Sequence, residues 1–130
     1  MKFEHFALNV PDVRAQAEWL VANLGFTIAR KNDVAPYMHF LADETGRVII
    51  ELYSNLLDPI PDYKTQHPLR FHLALVSTDT VADRARLEQA GASYFAEDAL
   101  PDGSRLLMMR DPWGMPLQFC QRAKPFPMPA

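Results

Sequence analysis

Polar and apolar residues alternate through 3–10, FEHFALNV, and the alternation stops at Pro11; this predicts a strand with one apolar face. The period then changes. Val13, Ala17, Leu20 and Leu24 recur at helical spacing over 12–26, with Asp12 placed to cap the start and Gly25 to close the end. Strands are predicted near 27–31, 37–42 and 47–54, and the polar, Pro-rich stretch 55–68 reads as a connector. The same order then restarts. A strand is predicted at 70–77, and a helix at 78–92, capped by Thr78 or Asp79 and stopped by Gly91. Three more strands follow near 93–96, 105–110 and 116–121. The end of the chain, AKPFPMPA, carries three prolines and is predicted to be irregular.

Strand, helix and three strands are thus written twice. FEHFALNVPD and RFHLALVSTD superpose at an offset of 67, which places His5 on His72, Ala7 on Ala74, Leu8 on Leu75 and Asp12 on Asp79. The same offset carries Glu51 to Gln118. The helix-closing glycines, Gly25 and Gly91, fall one short of it, as expected of a one-residue indel restored before the last strand.

Strand parity turns the repeat into chemistry. Side chains alternate faces, so His5, Ala7 and Asn9 share one face, opposite Phe6, Leu8 and Val10. Likewise Glu51 and Tyr53 oppose Ile50 and Leu52, and Gln118 and Cys120 oppose Leu117 and Phe119. The bulky apolar face packs on a helix in this reading. The other face carries one metal-competent side chain per strand. Two modules curling toward each other aim His5, Glu51, His72 and Gln118 at a common centre, and a buried carboxylate such as Glu51 needs a partner of this kind. The competing reading pairs Glu51 with Arg47 or Arg70 as a structural ion pair. Neither His39 nor His67 has a counterpart at the repeat offset, so neither is expected to be a ligand.

Composition narrows the setting. At 130 residues the chain is long enough for one domain with a real core. A net charge of -3 with no basic stripe argues against a nucleic-acid partner. Cys120 is the only cysteine, so no internal disulfide forms. No apolar run is long enough for a bilayer span or a signal peptide. The expected location is cytoplasmic, without membrane contact.

VIIELYSN, FHLALVSTD and DPWGMPLQF are similar to the glyoxalase I pattern, and the layout over residues 3 to about 122 resembles the vicinal oxygen chelate superfamily. That superfamily includes glyoxalase I, methylmalonyl-CoA epimerase, extradiol dioxygenases, fosfomycin-resistance enzymes and bleomycin-binding proteins. The resemblance implies an α+β fold: two tandem βαβββ modules forming curved mixed sheets around a metal-binding cleft. It implies one domain over 1–130, with modules at about 1–57 and 69–122, a linker at 58–68 and an irregular tail at 123–130. His5, Glu51, His72 and Gln118 fall on the four ligand positions. Asn55 matches an asparagine that binds glutathione, and Asn9 stands where glyoxalase I has an arginine. Gln118 replaces a glutamate that closes the second module. A homodimer is also implied.

The donor set can be read on its own. Two imidazoles, a carboxylate and an amide oxygen, with no thiolate, suit Zn, Ni, Co, Mn or Fe(II) with open positions left for a small-molecule substrate. Such a cation acts as a Lewis acid toward a substrate with vicinal oxygens and stabilises an enediolate. Glu51 is the expected catalytic base, since an amide at 118 has no useful basicity. Tyr37, His39 and Tyr53 are expected to line the cleft, together with Asn9 and Asn55. Trp113, in DPWG, reads as a turn residue whose ring covers core or cleft. The expected activity is a metal-dependent lyase or isomerase of the glyoxalase kind. The alternatives are an Fe(II)-dependent extradiol-type dioxygenase and a metal-free antibiotic-binding protein. A nucleophilic role for Cys120 lacks an activating partner.

Overall fold

Asp12 and Asp79 each have extended backbone, and each side chain accepts the amide of the residue three along: Ala15 N at 3.1 Å and Ala82 N at 3.0 Å. These caps satisfy amides that the first turn of a helix leaves open, and they set where both helices begin. The computed structural model describes residues 1–128. Its elements are β1 (Phe6–Asn9), α1 (Val13–Leu24), β2 (Thr27–Lys31), β3 (His39–Ala42), β4 (Val48–Tyr53), β5 (Leu73–Val76), α2 (Thr80–Gln89), β6 (Ser93–Ala99), β7 (Arg105–Arg110) and β8 (Pro116–Gln121). The order is that read from the sequence, a βαβββ unit written twice. The chain divides into two compact units, Met1–Pro61 and Asp62–Ala130. The predicted tail, 123–130, is irregular as far as residue 128, and its last two residues lie outside the described ones.

Each unit has a four-stranded mixed sheet, in the order β1-β4-β3-β2 in the first and β5-β8-β7-β6 in the second. The first and last strands of a unit pair in parallel, and the other pairs are antiparallel. One face of each sheet packs on its helix. In the first unit Leu41, Ile50 and Leu52 meet Val13, Ala17 and Leu20, all almost fully buried. In the second, Leu107, Met109, Leu117 and Phe119 are buried with Leu87 of α2. Each such side chain contributes about 1.5–3 kcal/mol by leaving water, so the apolar parity of β4 and β8 fixes which face is left for chemistry.

The repeat is visible in irregularities as well as in strands. The β2–β3 ladder is bulged between Ile28 and Arg30, and the β6–β7 ladder between Tyr94 and Ala96. The bulged residues, Ala29 and Phe95, keep the offset of the helix-closing glycines rather than that of the histidines. A second repeated device joins the third and fourth strands of each unit. Asp43 and Asp111 begin turns in which the side chain accepts the amide two residues on, Thr45 N or Trp113 N, each at 2.9 Å. Gly46 N and Gly114 N then bond back to the carbonyls of Asp43 and Asp111.

Several boundaries differ from those predicted, three of them among the strands that bear on the site or its sheet. β1 and β5 are shorter than 3–10 and 70–77, so His5 and His72 each stand one residue ahead of their strand. For His72 the cause is local, since Arg70 N bonds to the His67 carbonyl and holds the chain in a turn up to that point. β6 runs to Ala99, beyond 93–96, because Glu97, Asp98 and Ala99 continue the ladder with β7 despite their polar character. Part of the predicted connector is built into the second unit. Tyr63 is 3% exposed and sets its ring edge-on to Phe71, and Arg110 donates to the carbonyls of Tyr63 and Gln66.

Candidate metal centre

In the first unit the parallel pairing of β1 with β4 sets Ala7 opposite Glu51. Ala7 is small, and that leaves room above it. His5 uses that side of the sheet: its ring stands edge-on to Phe40, which is itself the register partner of Glu51 on β3. The result is a direct contact, His5 Nε2 to Glu51 Oε2 at 3.0 Å. Both side chains are mostly shielded, at 26% and 14% exposure. The other ring nitrogen, Nδ1, lies 2.8 Å from Glu4 Oε1. His5 thus has a carboxylate at each ring nitrogen; with Nδ1–H held by Glu4, Nε2 would be the atom left to ligate a metal placed between it and Glu51. Glu4 was not among the residues singled out from the sequence. An exposed acidic residue next to a candidate ligand was the available signal.

The second unit repeats this layout with different chemistry. Ala74 lies opposite Gln118 in the β5–β8 register. His72 precedes Ala74 by the same interval as His5 precedes Ala7. Its Nδ1 lies 2.8 Å from the Pro68 carbonyl, an acceptor only, so Nδ1 donates and Nε2 is the nitrogen left to ligate a metal. Gln118 Oε1 accepts from the Cys120 thiol at 3.4 Å. Burial raises the pKa of that thiol, although nearby Arg122 opposes the shift. Met108, 6% exposed, occupies the position beside Gln118 that Phe40 holds beside Glu51.

The donors fit a divalent cation by chemistry. Each unit offers one imidazole with its Nδ1 anchored to oxygen and one oxygen donor from the closing strand. Among the described residues no group of three or more His, Cys, Asp or Glu is arranged so that it could hold a metal ion. Within one unit the candidate donors are two.

The remaining candidates divide. Asn9 and Asn55 are brought together, but by the Asn9 side chain and the Asn55 backbone: Asn9 Nδ2 donates to the Asn55 carbonyl at 3.0 Å, and Asn9 Oδ1 accepts Asn55 N at 2.8 Å. The Asn55 side chain donates to Asp58 and accepts Leu57 N. Both asparagines therefore extend the β1–β4 zipper and shape the turn after it. Tyr53 shares the face of Glu51 and is half-buried. His39 does not share that face. It is the ladder partner of Leu52, is 3% exposed, and has Nδ1 2.7 Å from the Tyr37 carbonyl. Its parity with the buried Leu41 was the signal against a cleft position. Tyr37 has left-handed backbone, φ 59°, follows a cis Ala35–Pro36 bond, and lies under the Arg14 guanidinium. Trp113 sits in the Asp111–Gly114 turn before β8.

A family model described as a glyoxalase-like domain matches residues 5–120. The chain belongs to the glyoxalase-like domain family, within the vicinal oxygen chelate superfamily. Both candidate histidines and both closing-strand donors of this glyoxalase-like domain lie inside the matched span. Solved structures share the fold. Glyoxalase I from Zea mays superposes with a TM-score of 0.73 at 21% identity, over 95% of this chain and 45% of that one. The domain thus spans less than half the length of the maize protein. TnmS3, an antibiotic binding protein from Streptomyces sp. CB03234, gives 0.66 at 20% identity, over 92% and 93% of the two chains. A glyoxylase/bleomycin resistance protein/dioxygenase domain from Frankia sp. EAN1pec gives 0.66 at 17% identity, over 92% and 96%. A search of curated proteins returned no match. No helix among the described residues is long and apolar enough to cross a membrane.

Proposed function

We propose that this glyoxalase-like domain is a divalent-metal-dependent lyase or isomerase acting on a small substrate with vicinal oxygens. One observation carries the reading. The register that sets Ala7 against Glu51 also sets Ala74 against Gln118, with a histidine of anchored Nδ1 two residues before each alanine. Core packing gives no reason to keep that arrangement in both units.

In this reading His5, Glu51, His72 and Gln118 would be the residues that hold the cation. When bound, it supplies a Lewis acid for the substrate's oxygens. Glu51, whose Oε2 faces His5, would be the base that takes the proton from the carbon beside the carbonyl. Gln118 stays neutral and orients through its amide. Two copies of the domain approach the length of maize glyoxalase I, and we place the working form as a homodimer.

Metal analysis of protein purified without chelator tests the reading. About one equivalent of transition metal per chain is expected, lost in His72→Ala. Protein that arrives empty and cannot be reloaded ends the catalytic proposal. A hemithioacetal assay with Ni or Zn, beside oxygen uptake with catechols and Fe(II), separates the lyase from the dioxygenase.

A further inference from the structure

The Gln118 face of the second sheet opens into a cavity of about 460 Å3 that the chemistry above leaves unused. Its floor is sheet. Ala74 and Val76 of β5 stand opposite Gln118 and Cys120 of β8, and Ala74, Val76 and Cys120 all line the space. Its far wall is the chain after β8, through Pro125, Phe126 and Met128. Val76, Phe126 and Met128 are 67%, 68% and 60% exposed. Single exposed apolar residues are ordinary, but here they gather on the walls of one concavity. The volume lies within the range of small-molecule pockets, about 300–1,000 Å3.

One charge breaks the apolar lining. Arg122 borders the cavity, and its guanidinium lies 4.7 Å from the centre of the Phe126 ring. Arg84, Arg86 and Arg105 of the same unit each form an ion pair with a carboxylate. Arg122 has none at that range among the described residues; Asp102 is influenced by it only through space. A guanidinium stacked on an aromatic ring at the rim of an apolar pocket matches an amphipathic anion, with a ring or branched chain below and a carboxylate above.

We propose that this pocket binds the arylalkyl end of a small carboxylate, its ring against Val76, Phe126 and Met128 and its carboxylate on Arg122. This names the substrate class of the reaction above and rests on that reading, since the other end of such a molecule would extend past Ala74 toward Gln118.

The test is calorimetric titration of the full chain, stripped with EDTA, with 3-phenylpropionate and with its neutral amide. The acid is expected to bind roughly tenfold tighter than the amide, the worth of one charge-assisted hydrogen bond. Arg122→Gln should erase that preference, and Phe126→Ala should weaken both ligands, with circular dichroism showing both variants folded. Equal binding of acid and amide, or no binding at millimolar concentration, overturns the proposal. Sedimentation showing a dimer that loosens in Phe126→Ala, with no uptake of either probe, also overturns it, by making the wall a contact between copies. Metal content is measured in parallel. Probe binding without metal loading sinks the catalytic reading and leaves the pocket standing; metal loading without probe binding does the reverse.

Discussion

Gly114→Ala tests how the second unit is clamped, and Gly46→Ala supplies its control. Both glycines close the same Asp-x-x-Gly turn, with φ of +91° and +82°. A side chain at either must adopt left-handed backbone, at about 1–2 kcal/mol. Beyond that they differ. A Cβ at Gly46 meets nothing within 4 Å, whereas at Gly114 it comes within 2.8 Å of Lys64 Cα and 2.9 Å of Lys64 N. Backbone cannot swing aside as a side-chain tip does. Here it is also held: Arg110 donates to the Tyr63 carbonyl at 2.6 Å, to the Gln66 carbonyl at 2.7 Å and to the Gly114 carbonyl at 3.1 Å. Forcing atoms into such a contact adds about 1–3 kcal/mol. Gly114→Ala is therefore expected to cost about 2–5 kcal/mol in all, against about 1–2 for Gly46→Ala. At about 4 °C per kcal/mol, the melting temperatures should fall by about 8–20 °C and 4–8 °C respectively. Urea unfolding followed by circular dichroism measures both. If the two variants differ by less than about 1 kcal/mol, residues 62–66 yield freely, and the argument that Arg110 pins them is wrong.

Three further outcomes are expected. Glu51→Gln should lower kcat by about 10²–10⁴, the range of a lost general base, and a variant that keeps full kcat on any substrate turned over by the native protein would remove Glu51 from the proton transfer. Glu4→Gln should weaken metal binding by about tenfold, the low end for an orienting partner, because Glu4 is largely exposed; competition with a chromophoric chelator reads the affinity, and nitrogen NMR of His5 reads whether Nδ1 keeps its proton. Cys120 should resist Ellman's reagent in the folded chain and react with one equivalent on unfolding. Burial raises its pKa in the fold, so its contribution is complete below the unfolded thiol's pKa and is lost as pH rises toward the folded value, and stability that climbs over that alkaline window would contradict the assignment.

The sequence reading reached the element order, the repeat and the two apolar ladder faces because each rests on local rules. Asp12, Asp79 and the alternation through Ile50 and Leu52 act within a few residues of themselves. It missed what depends on distant partners. Asn9 and Asn55 have cleft-like chemistry, yet their bonds to each other span 46 residues, and nothing near either one announces them. The anchoring of the connector is hidden for the same reason, since the Tyr63 and Gln66 carbonyls are held by Arg110, far along the chain. DPWG reads as a turn from its residues, but its pairing with the turn at Asp43–Gly46 does not show in the sequence, because DETG and DPWG share only their end residues. His39 was offered for the cleft on residue type alone, while its parity with Leu41 pointed the other way.

The two-strand parallel seam within each unit has one more consequence. It joins the earliest and latest strands of a unit, so in the first unit His5 and Glu51 meet only after the chain has returned across its own helix and hairpin. Closing so wide a loop is entropically expensive and comes late among the contacts of a small fold. A half-formed unit therefore has no paired donors to offer an ion. An ion that bound such a pair would reward only a unit whose topology is finished.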